Sequence, residues 1–159
     1  AGCLMSQNAT LRKILEAVYK MDGAETEGER ERSEGEKYAE LQRVRLGSRL
    51  LAYLPLRVTD ELVGILREFK EKASAIGVSQ FYIQTHFQSP LEVTPEARHA
   101  IEAILAAGWT ITNQLVYTVS ASRRAYGEIT ADLKRPWGGL LLYVLREGIP
   151  GELCGLYPE

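Results

Sequence analysis

The 159-residue sequence predicts an α/β protein of parallel strands with helices outside them. Three observations lead there. Segments with apolar residues at helical spacing alternate with short segments that alternate apolar and polar. The helical segments open on threonine and stop at glycine. The order helix, strand, helix, strand, helix, strand leaves only crossover connections, which are right-handed and make neighbouring strands parallel. Repeated βα units of this kind suit either a doubly wound sheet or a barrel.

Each element has its own warrant. Leu11, Ile14, Leu15 and Val18 recur at helical spacing, with Asn8 or Thr10 available as N-cap. Asp22 to Lys37 is crowded with charges and glycines and reads as a solvated, mobile insertion. Leu41 to Leu46 alternates and is a strand; Leu50 to Arg57 runs through Pro55 and is expected to be extended. Thr59 then caps a helix whose apolar face is Leu62, Val63, Leu66, Phe69 and Ala73, ended by Gly77. The next strand is the stretch in which Phe81, Ile83 and Thr85 alternate with Tyr82, Gln84 and His86, with His86 where it ends. Thr94-Pro95-Glu96 is a helix start, with a capping hydroxyl, a proline at the first helical position and an acid in the first turn. Ala97, Ile101, Ile104 and Leu105 form its apolar face, Gly108 stops it, and Trp109 to Thr118 is the next strand.

Composition narrows the function classes. Apolar residues make up 45% and charged residues 25%, the profile of a globular protein with enough material for a core. A formal net charge of -2 gives no footing for a nucleic-acid partner. No apolar run is long enough to cross a bilayer, and the first residues lack a secretory pattern. Cys3 and Cys154 are too few for a disulfide framework or a thiolate metal site, which favours a reducing cytoplasm. Position 1 is alanine, in keeping with a piece of a longer protein. No GxGxxG or GxxxxGK[ST] loop follows any strand, which disfavours those nucleotide-phosphate folds.

In parallel α/β proteins, ligands bind at the carboxyl ends of the strands. The residues there are Ser48 and Arg49 after the first strand, Thr85, His86 and Gln88 at the end of the second, and Asn113 and Gln114 in the third. A cation, an imidazole and two amides could hold a carboxylate and the edge of a heterocycle. Against this stand plainer readings. A histidine at a strand end is commonly a structural donor, and Arg49 could pair with an acid of the charged insertion. Asn113 and Gln114 interrupt an apolar strand and need partners in either case. His99 falls on the exposed side of its helix and has no role in this reading. The set holds no nucleophile beside a base and no paired carboxylates.

The segment YIQTHFQSPLEVTPEARHAIEAILAAGWTITNQLVY resembles the THF..P...TPEA...AG....NQ pattern of the lysine 2,3-aminomutase family of radical-SAM enzymes. VRLGSRLLAYLPLRVTDELVGIL is similar to that family's preceding strand and helix, and the resemblance covers roughly residues 4 to 124. It implies a partial (β/α) barrel, of which this chain is a fragment. It also implies a 4Fe-4S cluster held by CxxxCxxC, S-adenosylmethionine cleaved to a 5'-deoxyadenosyl radical, and, in the aminomutases, pyridoxal phosphate on a lysine. The substrate would be a small amino acid. By the resemblance, His86 and Gln114 lie on the S-adenosylmethionine side, with Ser48, Arg49 and Asn113 lining the same cavity. The cluster cysteines would precede residue 1 and the pyridoxal lysine would follow this chain, so the chain alone is expected to be inactive. Ala1-Gly2-Cys3-Leu4-Met5 stands where the family has GGDPLM, and Gln88-Ser89 where it has Asn-His. A stand-alone α/β binding module without catalysis is the alternative reading, and a homo-oligomer is open in both.

The resemblance ends after VSASRR. Read one base out of frame, residues 125 to 159 permit a helix and a strand similar to the family's continuation. The tail is therefore expected to be frameshifted and to have no evolved core, as a second region after the barrel fragment of residues 1 to 124.

Overall fold

The computed structural model describes residues 3–29, 41–117 and 141–146. Among them, four parallel strands form one sheet in sequential order: β1 (Arg43–Gly47), β2 (Gln80–Thr85), β3 (Thr110–Tyr117) and β4 (Leu141–Arg146). The main helices are α1 (Asn8–Glu29), the short α2 (Leu50–Tyr53), α3 (Asp60–Ala75) and α4 (Pro95–Ala106). This is the parallel α/β architecture with flanking helices that the sequence predicts. Of residues 125–159, only β4 falls among those described.

The sheet is two-faced. Val44 and Leu46 on β1, Phe81, Ile83 and Thr85 on β2, and Ile111 and Asn113 on β3 are buried on one face. The period of two puts Arg43, Arg45, Gly47, Tyr82, Gln84, Thr112 and Gln114 on the other. The helices lie against the apolar face. Phe69 of α3 meets the Phe81 ring edge-on at 6.2 Å, and Phe81 meets Trp109 at 5.4 Å. The Trp109 indole N–H donates to the Leu66 carbonyl of α3 at 3.0 Å, so the polar end of a buried ring is satisfied.

Local signals formed as expected around α3 and α4. The Thr59 hydroxyl accepts the Leu62 N–H at 3.3 Å, and the Thr94 hydroxyl accepts the Ala97 N–H at 3.2 Å. Gly77 and Gly108 end these helices with φ of +112° and +82°, a backbone region that side chains with a Cβ avoid.

Four expectations are corrected. Residues 50–57 are not extended: the Ser48 hydroxyl accepts the Leu50 N–H at 3.1 Å and starts α2, and Pro55 opens a 3-10 turn, Pro55–Arg57. The charged stretch from Asp22 is helical through Glu29; Asp22 is buried and accepts the Leu41 N–H at 3.2 Å, and its neighbours are good helix formers. The remainder of the insertion lies outside the described residues. Asn8 does not cap α1 from outside but is its first residue, and its side chain accepts from the Arg57 guanidinium at 2.6 Å. Ile14 and Leu105 are exposed, and Ala100 is a buried position of α4, beside Ala97, Ile101 and Ile104.

Candidate functional site

β1 and β2 end almost level, while β3 runs on to Tyr117 beside β4. Gly47 pairs with Gln84, Gln84 with Thr112, and Thr85 with Asn113. The Ser48 N–H donates to the Gln84 carbonyl at 2.9 Å, which extends the pairing by one position. Arg49 and His86 therefore lie just past the last paired positions of β1 and β2, in one row with Gln114, which is itself paired with Tyr143 of β4. Burial continues to alternate through Thr85, His86, Phe87 and Gln88, so His86 falls on the polar side, half-buried.

The structure separates the two adjacent amides. Gln114 points to the polar face, where its side-chain oxygen accepts from the Gln84 carboxamide at 2.5 Å. Asn113 points to the helix side and is fully buried. Its oxygen accepts the Phe87 N–H at 2.7 Å, and its nitrogen donates to the Phe87 carbonyl at 3.0 Å. Both amides thus have the partners that a polar interruption of an apolar strand requires. Asn113 lines no cavity on the polar side; it clamps the backbone immediately after His86.

Ser48 is buried, and its hydroxyl is occupied by the Leu50 N–H. Arg49 is half-exposed and faces Glu92, with Nη2 3.6 Å from Oε1. Its acid partner is therefore in the loop after β2. The imidazole of His86 makes no hydrogen bond or ion pair among the described residues.

Three groups escaped sequence reasoning. Gln84 is central to the row, and the period of two that places His86 would have found it. Thr112 lies two positions before Gln114 on the same face; its buried hydroxyl has no hydrogen-bond partner among the described residues. Glu92 had no local signal, because its two partners belong to different loops.

Electrostatics elsewhere on the molecule is local. A groove of about 280 Å³ between α1 and α3 has an apolar floor including Leu15, Ile65 and Phe69, and includes none of the strand-end groups. Its charges neutralise one another: Arg12 pairs with Glu68 at 3.0 Å, Lys72 with Glu68 at 2.8 Å and Lys20 with Glu16 at 3.1 Å. The hydrogen bond from Lys72, helped by that from Arg12, holds the Glu68 carboxyl below its ordinary range and raises Lys72 in return. Among the described residues, no group of three or more His, Cys, Asp or Glu could hold a metal ion. No described helix is long and apolar enough to cross a membrane.

No family model matches the chain. It is 38% identical over 73 residues to the glutamate 2,3-aminomutase of Clostridioides difficile, a match spanning 46% of this chain and 15% of the relative. It is 38% identical over 73 residues to the L-lysine 2,3-aminomutase of Fusobacterium nucleatum, with 46% and 15% covered. With that of Methanococcus maripaludis it shares 34% identity over 80 residues, 50% of this chain and 16% of the relative. The matched stretch is thus under one fifth of the length of these curated relatives. Over about half of its own residues, this chain resembles the lysine 2,3-aminomutase family.

Proposed function

We propose that this chain forms the S-adenosylmethionine side of a radical-SAM aminomutase active site, on part of a (β/α) barrel whose interior is the polar face of the sheet. The observation that carries the reading is the Gln84–Gln114 amide pair, in one row with His86 and Arg49 just past the ends of β2 and β1, on the face opposite the described helices. Helices on one face and polar groups on the other is the arrangement of a barrel wall. The names of the relatives support an amino acid as substrate and migration of an amino group as the reaction. A cytoplasmic setting goes with that chemistry.

The donor set fits part of this machinery. Two carboxamides, an imidazole and the buried Thr112 hydroxyl offer donors and acceptors suited to a polar heterocycle, and Arg49 offers a guanidinium to a carboxylate. In such a site, bound S-adenosylmethionine and a 4Fe-4S cluster supply radical hydrogen abstraction. The described residues do not fit the cluster itself, since no ligand group is present among them. Nor do they fit a pyridoxal lysine: Lys13, Lys20, Lys70 and Lys72 stand on α1 and α3, away from the sheet's polar face. Within this chain, Gln114 and His86 bind and orient the ligand, Gln84 fixes Gln114, and Asn113 fixes the backbone beside His86.

Saturation-transfer NMR with S-adenosylhomocysteine tests the reading without the cluster. Transfer to the adenine protons is expected with the parent chain and lost in both His86→Ala and Gln114→Ala. An absence of transfer at millimolar ligand, or transfer that survives both substitutions, refutes it.

A further inference from the structure

Glu92 divides one carboxylate between two loops that reach the candidate site from different strands. Oε2 accepts the Gln88 N–H at 2.8 Å, and Oε1 lies 3.6 Å from Nη2 of Arg49. We propose that Glu92 is a positioning residue that couples Arg49, after β1, to the His86 loop, after β2, so that guanidinium and imidazole meet a ligand as one unit. This rests on the reading of the strand ends as a ligand site.

The loop geometry carries the argument. Thr85 is held in the sheet against Asn113. Both backbone groups of Phe87 are held by the Asn113 carboxamide, and the N–H of Gln88 by Glu92. His86 lies between these fixed points. The turn that brings Glu92 back to Gln88 is closed by Ser89, whose carbonyl accepts the Glu92 N–H at 3.1 Å and whose hydroxyl accepts the Leu91 N–H at 3.3 Å. Glu92 is the more enclosed partner of its ion pair, with 29% of its side chain exposed against 50% for Arg49. At 3.6 Å the contact is one of charge, longer than a hydrogen bond, so the donors of Arg49 stay open to a ligand carboxylate. A long side chain oriented before binding has less rotamer entropy left to lose when the ligand arrives.

Amide hydrogen exchange on the full chain tests the coupling. The parent, Glu92→Ala, Arg49→Gln and the double variant form a cycle read at the Gln88 N–H. Removing a charge-assisted acceptor in Glu92→Ala should speed Gln88 exchange about tenfold. Arg49→Gln should speed it roughly threefold while Glu92 is present, and not at all in the double variant. Glu92→Gln, which keeps a neutral acceptor, should fall between, and it serves if the alanine variant does not fold. Unchanged protection at Ile83 and Ile111 shows that the sheet is intact. Additive effects of the two substitutions, or a Gln88 rate indifferent to Glu92, overturn the proposal. In the binding arm, S-adenosylhomocysteine affinity should fall in parallel for Glu92→Ala and Arg49→Gln; an affinity unmoved in Glu92→Ala overturns the positioning role. A parent chain that binds none ends the ligand-site reading, while the exchange cycle still decides the coupling.

Discussion

Replacing Asn113 with alanine removes both arms of the clamp on Phe87, two hydrogen bonds to a buried stretch of backbone. Asn113 is fully buried, and its two hydrogen bonds are 2.7 and 3.0 Å long. Breaking a buried hydrogen bond by removing one partner costs about 1–3 kcal/mol, and partial relaxation of the loop places the sum for the two near 3–4 kcal/mol. At roughly 2–4 °C per kcal/mol for a chain of this size, Tm should fall by about 10 °C. Gln114→Ala is the internal control. It also loses a side-chain hydrogen bond, but on the half-buried polar face where water can replace the partner, and it should cost less than about 1 kcal/mol. Urea unfolding followed by circular dichroism measures both. Losses of similar size for the two neighbours, or an Asn113→Ala loss below about 1 kcal/mol, would refute the assignment of one amide to the framework and the other to the open face.

Two further outcomes follow from the helices. Glu68 has its carboxyl held low by Lys72 and Arg12, so its contribution to stability is present above its unfolded pKa and fades as pH falls through its folded one. Glu68→Gln should therefore lower Tm near neutrality and match the parent at acid pH; a gap that persists in acid contradicts the ion-pair account. Gly108 has φ +82°, and a Cβ there would run into the end of the Lys70 side chain, which is flexible and can move aside. Backbone strain then dominates, so Gly108→Ala should cost about 1–2 kcal/mol, and a neutral substitution by thermal unfolding would show that α4 ends in another way.

Much of the fold was legible in the sequence because its causes are local. Thr59 and Thr94 cap their helices through N–H groups three residues away, and Gly77 and Gly108 stop them by a property of their own backbone. The strand around Phe81 and Ile83 declares itself by a period of two. Where a local rule met a competing contact, the reading slipped. Pro55 suggested extension, yet the Ser48 hydroxyl had already started a helical turn. The charges after Asp22 suggested a loop, yet a helix surface solvates charge equally well. The match to the aminomutases had the same character: QTHFQSP and NQ can be read as strings without knowing which way any side chain points.

Direction and partnership were left to the tertiary structure. Asn113 and Gln114 look equivalent on paper, but strand pleating sends one into the helix layer and the other onto the open face. Ser48 looks available, but its hydroxyl is already used by Leu50. Arg49 meets Glu92 only because β1 and β2 end at the same level, and Gln84 finds Gln114 only because β2 and β3 are parallel and in register. The sequence by itself determined the kinds of element, their order and the polar strand ends, because propensity, capping and periodicity act within a few residues. The tertiary structure alone decided which of those polar groups brace the backbone and which lie on the sheet's polar face, because that choice depends on sheet register and on neighbours distant along the chain.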